Sequence, residues 1–168
     1  MEISKTLRIL SVYHLFRYCE EISYKEVIDL MPISSKTIYR DIRFLEQAGL
    51  LQPRYSKKRR AIIDLGGTGR PNFPSSKTQR RYFEKIIRLC TLMRDLDGTA
   101  DPVAWYREHY PKLTDRTRQR DFEELNKIGY LVTYQRWDDG DEEHPVGSTY
   151  CDFPYDAYSL YTFTERGF

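Results

Sequence analysis

The sequence predicts a mainly α, α+β protein built from two like units, each a small set of helices closed by a β-hairpin. Three observations carry that expectation. Apolar residues in the first part of the chain recur at helical spacing. A Gly, Pro and Ser-rich stretch, GGTGRPNFPSS, divides the chain at 66–76. The sequence laid over itself at an offset of 80 also matches without a gap, with Lys5, Arg8, Thr37, Arg40, Asp41, Leu45, Gly49 and Leu51 recurring as Lys85, Arg88, Thr117, Arg120, Asp121, Leu125, Gly129 and Leu131. Apolar character repeats at Leu7/Ile87, Ile9/Leu89, Val12/Leu92, Phe16/Leu96, Leu30/Tyr110, Ile33/Leu113 and Ile42/Phe122.

Leu7, Leu10 and the run Val12 to Phe16 follow a helical period and predict a first helix over about 4–20. Ser23 can cap a short second helix over 24–31, with Val27, Ile28 and Met31 inward and Pro32 stopping it. Ser34 or Ser35 caps a third over 36–48, and Gly49 occupies the position of a left-handed C-cap. LLQPRY and AIIDL then flank the basic SKKRR as two short strand-like runs, which predicts a hairpin. Three helices followed by a hairpin is the element order of a winged helix.

The second unit predicts helices near 77–96, 101–110 and 115–128, then strands near 130–137 and 149–153. The expected division is therefore a winged helix-turn-helix domain over 1–65, a linker over 66–76, and a divergent second winged helix over 77–168. That second domain ends in an aromatic tail, FPYDAYSLYTFTERGF, to which the pattern assigns no element.

Composition narrows the function. The chain of 168 residues is 40% hydrophobic and 31% charged, as a globular protein is. No run approaches the ~18 apolar residues of a membrane span, and MEISKTLRIL lacks the apolar core and cleavage site of a signal peptide, so a cytoplasmic, nucleoid-associated location is expected. Cys19, Cys90 and Cys151 are widely spaced and odd in number, as reduced thiols are. Residues 1–70 hold 13 Lys/Arg against 8 Asp/Glu, whereas the remainder holds 14 against 17. A basic front half favours an anionic partner there.

On a wheel of ~100° per residue, Tyr39, Arg40 and Arg43 fall within about 60° of Lys36, while Ile38, Ile42 and Leu45 lie together opposite. One face is apolar and the other is cationic with an aromatic. Arg and Lys on such a face can pair with phosphates or with guanine O6 and N7, and a helix N-terminus favours anions. A merely solvated basic face has the same composition. Asp41 falls toward the edge of the buried face, where it is expected to orient a neighbouring basic group.

The stretch Ile33 to Leu51, ISSKTIYRDIRFLEQAGLL, resembles the helix-turn-helix signature of DeoR-type winged-helix transcriptional regulators, including the amino-terminal module of WYL-domain regulators. The shared features are a small turn with a Ser, then Thr-Ile-x-Arg-Asp, then a closing Leu-x-x-x-Gly. The resemblance implies a sequence-specific double-stranded DNA-binding regulator in which Ser35, Lys36, Thr37, Tyr39, Arg40 and Arg43 face DNA and Ile38, Ile42 and Leu45 are core. It places Lys57, Lys58, Arg59 and Arg60 at the tip of the wing, against the adjacent DNA backbone or minor groove, with a solubilising loop or nuclear-type basic tract as the alternative. A ligand-sensing domain of the kind those regulators carry is not expected in this chain.

The second unit departs from that pattern. Glu123 and Glu124 stand where the first unit has Arg43 and Phe44, Arg118 replaces Ile38, and the expected wing carries the acidic Asp138 to Glu143. Arg116, Gln119 and Arg120 keep part of a polar face for a second DNA contact, with dimerisation or a protein partner as the alternative. A single unit covers few bases, so either the second unit or a homodimer is expected to extend the site. The opposing reading of the whole chain is a protein interaction module with no DNA specificity of its own. No enzyme, cofactor or metal is expected: His14, His109 and His144 are scattered, and GGTGRP lacks the phosphate-loop pattern.

Overall fold

A computed structural model describes residues 4–19, 21–31, 33–97, 99–138 and 146–152. The protein is α+β and mainly helical, with a small three-stranded antiparallel sheet. The described residues separate into two units, with the boundary after Cys90.

The first unit opens with α1 (Lys5–Tyr18), started by Ser4, whose Oγ accepts from Leu7 N at 3.2 Å. Ile9, Leu10, Val12, Leu15 and Phe16 are all buried, along with His14, so this helix is the centre of the unit. A two-residue strand, β1 (Glu21–Ile22), leads to α2 (Tyr24–Leu30). Ser23 and Glu26 form a reciprocal capping box there, satisfying two otherwise orphaned N–H groups. Val27 and Met31 are buried as expected, while Pro32 and the side chain of Ile28 lie outside the described residues.

Next comes α3 (Ser35–Gln47), which packs on α1 and α2. Ser34 is the cap, and its Oγ meets both Thr37 N and Thr37 Oγ1. Gly49 ends the helix at φ +74°, with Leu50 N donating to Leu45 O; only glycine takes that backbone region without cost. The hairpin follows as β2 (Pro53–Ser56) and β3 (Ala61–Asp64), with Ser56 opposite Ala61 and Pro53 opposite Asp64. β1 pairs antiparallel with the other edge of β3, Ile22 opposite Ile62. Two residues carry too little alternation for a strand to be read from sequence, so the expected hairpin is in fact a three-stranded sheet, ordered β1-β3-β2.

The stretch 66–76, expected to be a linker, is tied to the end of α3. Gly69 N donates to Gly49 O, Asn72 N to Gln47 O, and Gln47 Nε2 to Asn72 O. A Cβ on Gly67 would lie 2.5 Å from the carbonyl oxygens of Gly49 and Leu50, so the glycine permits that close approach. The chain then enters α4 (Lys77–Asp95), where Tyr82 and Phe83 pack on Phe44 with ring centroids 5.6 and 4.3 Å away. Tyr82 also meets Thr6 through its hydroxyl. This packing carries the first unit past the expected boundary to Cys90, within α4.

The second unit holds the end of α4, then α5 (Pro102–His109), α6 (Asp115–Lys127), and the two-residue strands β4 (Leu131–Val132) and β5 (Cys151–Asp152), paired antiparallel. The strands are shorter than the sequence suggested. Thr149 Oγ1 donates to Asp101 Oδ1 and accepts from Val103 N, and Thr133 N bonds Tyr150 O, so backbone expected to extend the ladder is held by caps and isolated bonds. Tyr106, Phe122, Leu125, Ile128, Tyr130 and Val132 form its core. The acidic run beyond Asp138 and the aromatic tail lie outside the described residues.

Candidate nucleic-acid interface

The two faces of α3 separate as the wheel requires. Ile38, Ile42 and Leu45 are 0 to 3% exposed, and Ser35, Lys36, Tyr39, Arg40 and Arg43 are all exposed. Thr37 is half-buried, and its hydroxyl and N–H are engaged by the Ser34 cap. Asp41 is buried and receives a bidentate pair from Arg8 of α1, Nε to Oδ2 at 2.5 Å and Nη2 to Oδ1 at 2.9 Å. That ion pair ties the angle of α3 to α1, since a fork-to-fork geometry tolerates little rotation.

On the exposed face Arg43 has two partners of its own. Its Nε donates to Tyr39 Oη at 2.8 Å, its Nη1 donates to Glu46 Oε2 at 2.6 Å, and its guanidinium carbon lies 5.1 Å from the centre of the Tyr39 ring. The bonds donated to Glu46 and then Tyr39 push the Arg43 pKa up, keeping it charged. The sequence reading missed Glu46, although its spacing of three from Arg43 was signal enough.

The tip between β2 and β3 is Lys57 to Arg60, all four exposed. Arg60 sits at φ +51°, a left-handed conformation uncommon outside Gly, Asn and Asp. Arg59 Nη1 reaches back to Glu21 Oε2 at 2.7 Å, bracing the tip against β1. Arg54 and Tyr55 on β2 are exposed as well, Tyr55 at 54%. The sequence pattern assigns neither a role. A small cleft of about 70 Å³ lined by Tyr39, Ile42, Arg43, Pro53, Tyr55 and Ile62 joins α3 to the base of the hairpin. The outer face of α3 thus meets the base of the hairpin through Tyr39 and Arg43.

In the second unit α6 places Arg116, Gln119 and Arg120 on its exposed side. They share it with Asp115 and Glu123, and Gln119 Nε2 donates to Glu123 Oε1 at 3.3 Å. Arg118, where α3 has Ile38, is buried against Asp115 and the Leu113 carbonyl with its guanidinium 5.7 Å from the Tyr106 ring centre. The bonds from Arg118 hold the Asp115 carboxyl below its ordinary pKa. Asp121, the counterpart of Asp41, is equally buried and accepts from Tyr106 Oη at 2.5 Å.

Among the described residues no group of three or more His, Cys, Asp or Glu is placed to hold a metal ion. His109 stacks on Trp105 with centroids 3.8 Å apart. No described helix is long and apolar enough to cross a membrane. Compared with known proteins, the chain matches no family model, and neither a curated protein nor a solved structure matches it significantly.

Proposed function

We propose that this chain is a sequence-specific double-stranded DNA-binding transcriptional regulator of tandem winged-helix architecture, related to the DeoR-type modules that Ile33 to Leu51 resembles. The order α1-β1-α2-α3-β2-β3, with β1 closing the sheet beside β3, supports the winged-helix reading of the first unit. The observation that carries the function is the exposed, cationic outer face of α3, Lys36, Tyr39, Arg40 and Arg43, with Tyr39 and Arg43 meeting the base of the hairpin whose exposed tip is Lys57 to Arg60. In this reading α3 enters the major groove and the hairpin clamps the adjacent backbone. Thr37 serves the helix start and Ser35 sits at the first helical position, so base reading falls to Lys36, Tyr39, Arg40 and Arg43.

The second unit extends the site or holds a partner. Its mixed-charge α6 face favours the latter, since Glu123 opposes phosphate where Arg43 would attract it. No substrate chemistry enters the proposal, and a nucleoid location goes with it.

The experiment is fluorescence anisotropy on a mixed-sequence duplex at about 50 and 200 mM salt, comparing the wild type with a variant carrying Gln at 57 to 60. Wild-type affinity should fall steeply with salt, and in the variant the slope should flatten by about one unit for each of the four side chains that pairs with a phosphate. Wild-type binding that is negligible at low salt would replace the proposal with the protein-interaction module.

A further inference from the structure

Arg43, Tyr39 and Glu46 form a unit whose design fits one task better than general attraction to DNA. The Arg43–Glu46 pair carries no net charge, so whatever Arg43 gains from a nearby phosphate, the Glu46 carboxylate offsets at almost the same distance. An exposed pair at this spacing also adds little to helix stability. What the pairing does supply is direction. Nε is committed to Tyr39 Oη, Nη1 to Glu46, and the ring of Tyr39 lies alongside the guanidinium. The side chain is thereby held in one arrangement, with the Nη2 hydrogens and the second hydrogen of Nη1, the two sides of the end-on fork, bearing neither of these bonds. A guanidinium held so has already given up the rotamer freedom that binding would otherwise cost.

Guanine presents O6 and N7 side by side in the major groove, the acceptor pair that matches an arginine fork. Phosphate offers acceptors in many directions and needs no such bracing. The second unit has the corresponding helix but none of the three groups: Gln119, Glu123 and Asn126 occupy the places of Tyr39, Arg43 and Glu46, and Asn126 is spent on the Val132 backbone. The bracing is therefore not something the shared scaffold requires.

We propose that Glu46 is a positioning residue for base recognition, holding Arg43 with Tyr39 so that Arg43 reads a single guanine of the target. The inference rests on the DNA-binding reading above. Glu46 itself touches no base. It lowers indiscriminate affinity and raises discrimination, the two effects having opposite signs.

The test uses the full chain and two probes: a duplex selected from a random pool by the wild type, and the same duplex with each guanine in turn replaced by 7-deazaguanine, which lacks only the N7 acceptor. For the wild type, one replacement should weaken binding about tenfold. Glu46→Ala should reduce that penalty to below about threefold while binding mixed-sequence duplex as tightly as the wild type or more so. Arg43→Lys, which keeps the charge and removes the fork, should also abolish the guanine penalty. Tyr39→Phe, which keeps the ring and removes only the acceptor, should reduce the penalty partway. If Glu46→Ala keeps the full penalty, or weakens every duplex equally, the positioning role is overturned while DNA binding by α3 stands. If the wild type binds neither selected nor mixed duplex, the underlying reading fails and takes this one with it.

Discussion

Helices α3 and α6 are two versions of one element, and the places where they differ separate what the fold needs from what the surface does. Both start on a hydroxyl cap that bonds the residue three along, Ser34 with Thr37 and Thr114 with Thr117, at nearly identical distances. Both bury an aspartate at 2% exposure, close their inner face with Leu45 or Leu125, and end at a glycine with positive φ. Those positions do the same physical work twice, so the repeat preserves them. The outer faces diverge: Lys36, Tyr39, Arg40, Arg43 and Glu46 against Arg116, Gln119, Arg120, Glu123 and Asn126. A helix can therefore keep its caps and core while its outer surface changes from cationic to mixed charge.

The largest expected effect tests the shared scaffold. Arg8→Ala leaves Asp41 buried without its fork, and truncating one partner of a buried pair costs about 3–5 kcal/mol. In the second unit Tyr106→Phe removes one neutral donor from Asp121 and should cost about 1–3 kcal/mol. Denaturant titrations followed by circular dichroism would order the two variants, and a destabilisation below ~1 kcal/mol for Arg8→Ala would show that the ion pair does not set the helix angle.

Next come the caps, which should be equivalent. Ser34→Ala and Thr114→Ala should each cost about 1 kcal/mol in the same titrations. A cap that matters in only one unit would mean that the local geometry is repeated without its energetics.

The smallest stability effect lies at the hairpin tip. Arg60 holds a left-handed conformation that glycine adopts freely. Arg60→Gly should raise stability by up to ~1 kcal/mol, the relief being partly offset by the greater freedom of the unfolded chain. The same change should weaken duplex binding a few-fold, because one cation fewer then meets the phosphates. Opposite signs would mean the strain is retained for the cation, and a fall in both would make Arg60 a structural residue only.

Much of this comparison is legible in sequence because caps and apolar periods are local. Helix bounds fall within about two residues of expectation, since Ser23, Ser34, Gly49 and Pro102 act on their own neighbours. What escapes the sequence is set by partners far along the chain. The composition of 66–76 signals irregular backbone, but nothing local reveals that Gly69 and Asn72 bond the end of α3. Nothing near Phe44 in sequence reveals that Tyr82 and Phe83 pack beside it. On the candidate interface the wheel located the cations and overlooked the acid, because weighing charge for DNA binding passes over the carboxylate that holds Arg43. The resemblance gives Thr37 to the DNA-facing side, and local sequence also explains what the structure adds, since a hydroxyl three residues after a serine cap meets that cap.

The most direct measurement compares the two outer faces in the full chain, by duplex anisotropy at about 50 mM salt. Replacing Lys36, Arg40 and Arg43 together with Ala should weaken binding by at least about 100-fold, whereas Arg116, Gln119 and Arg120 replaced together should change it by less than about threefold. Equal weakening, or a greater effect from the second set, would contradict the account and move the reading surface to α6.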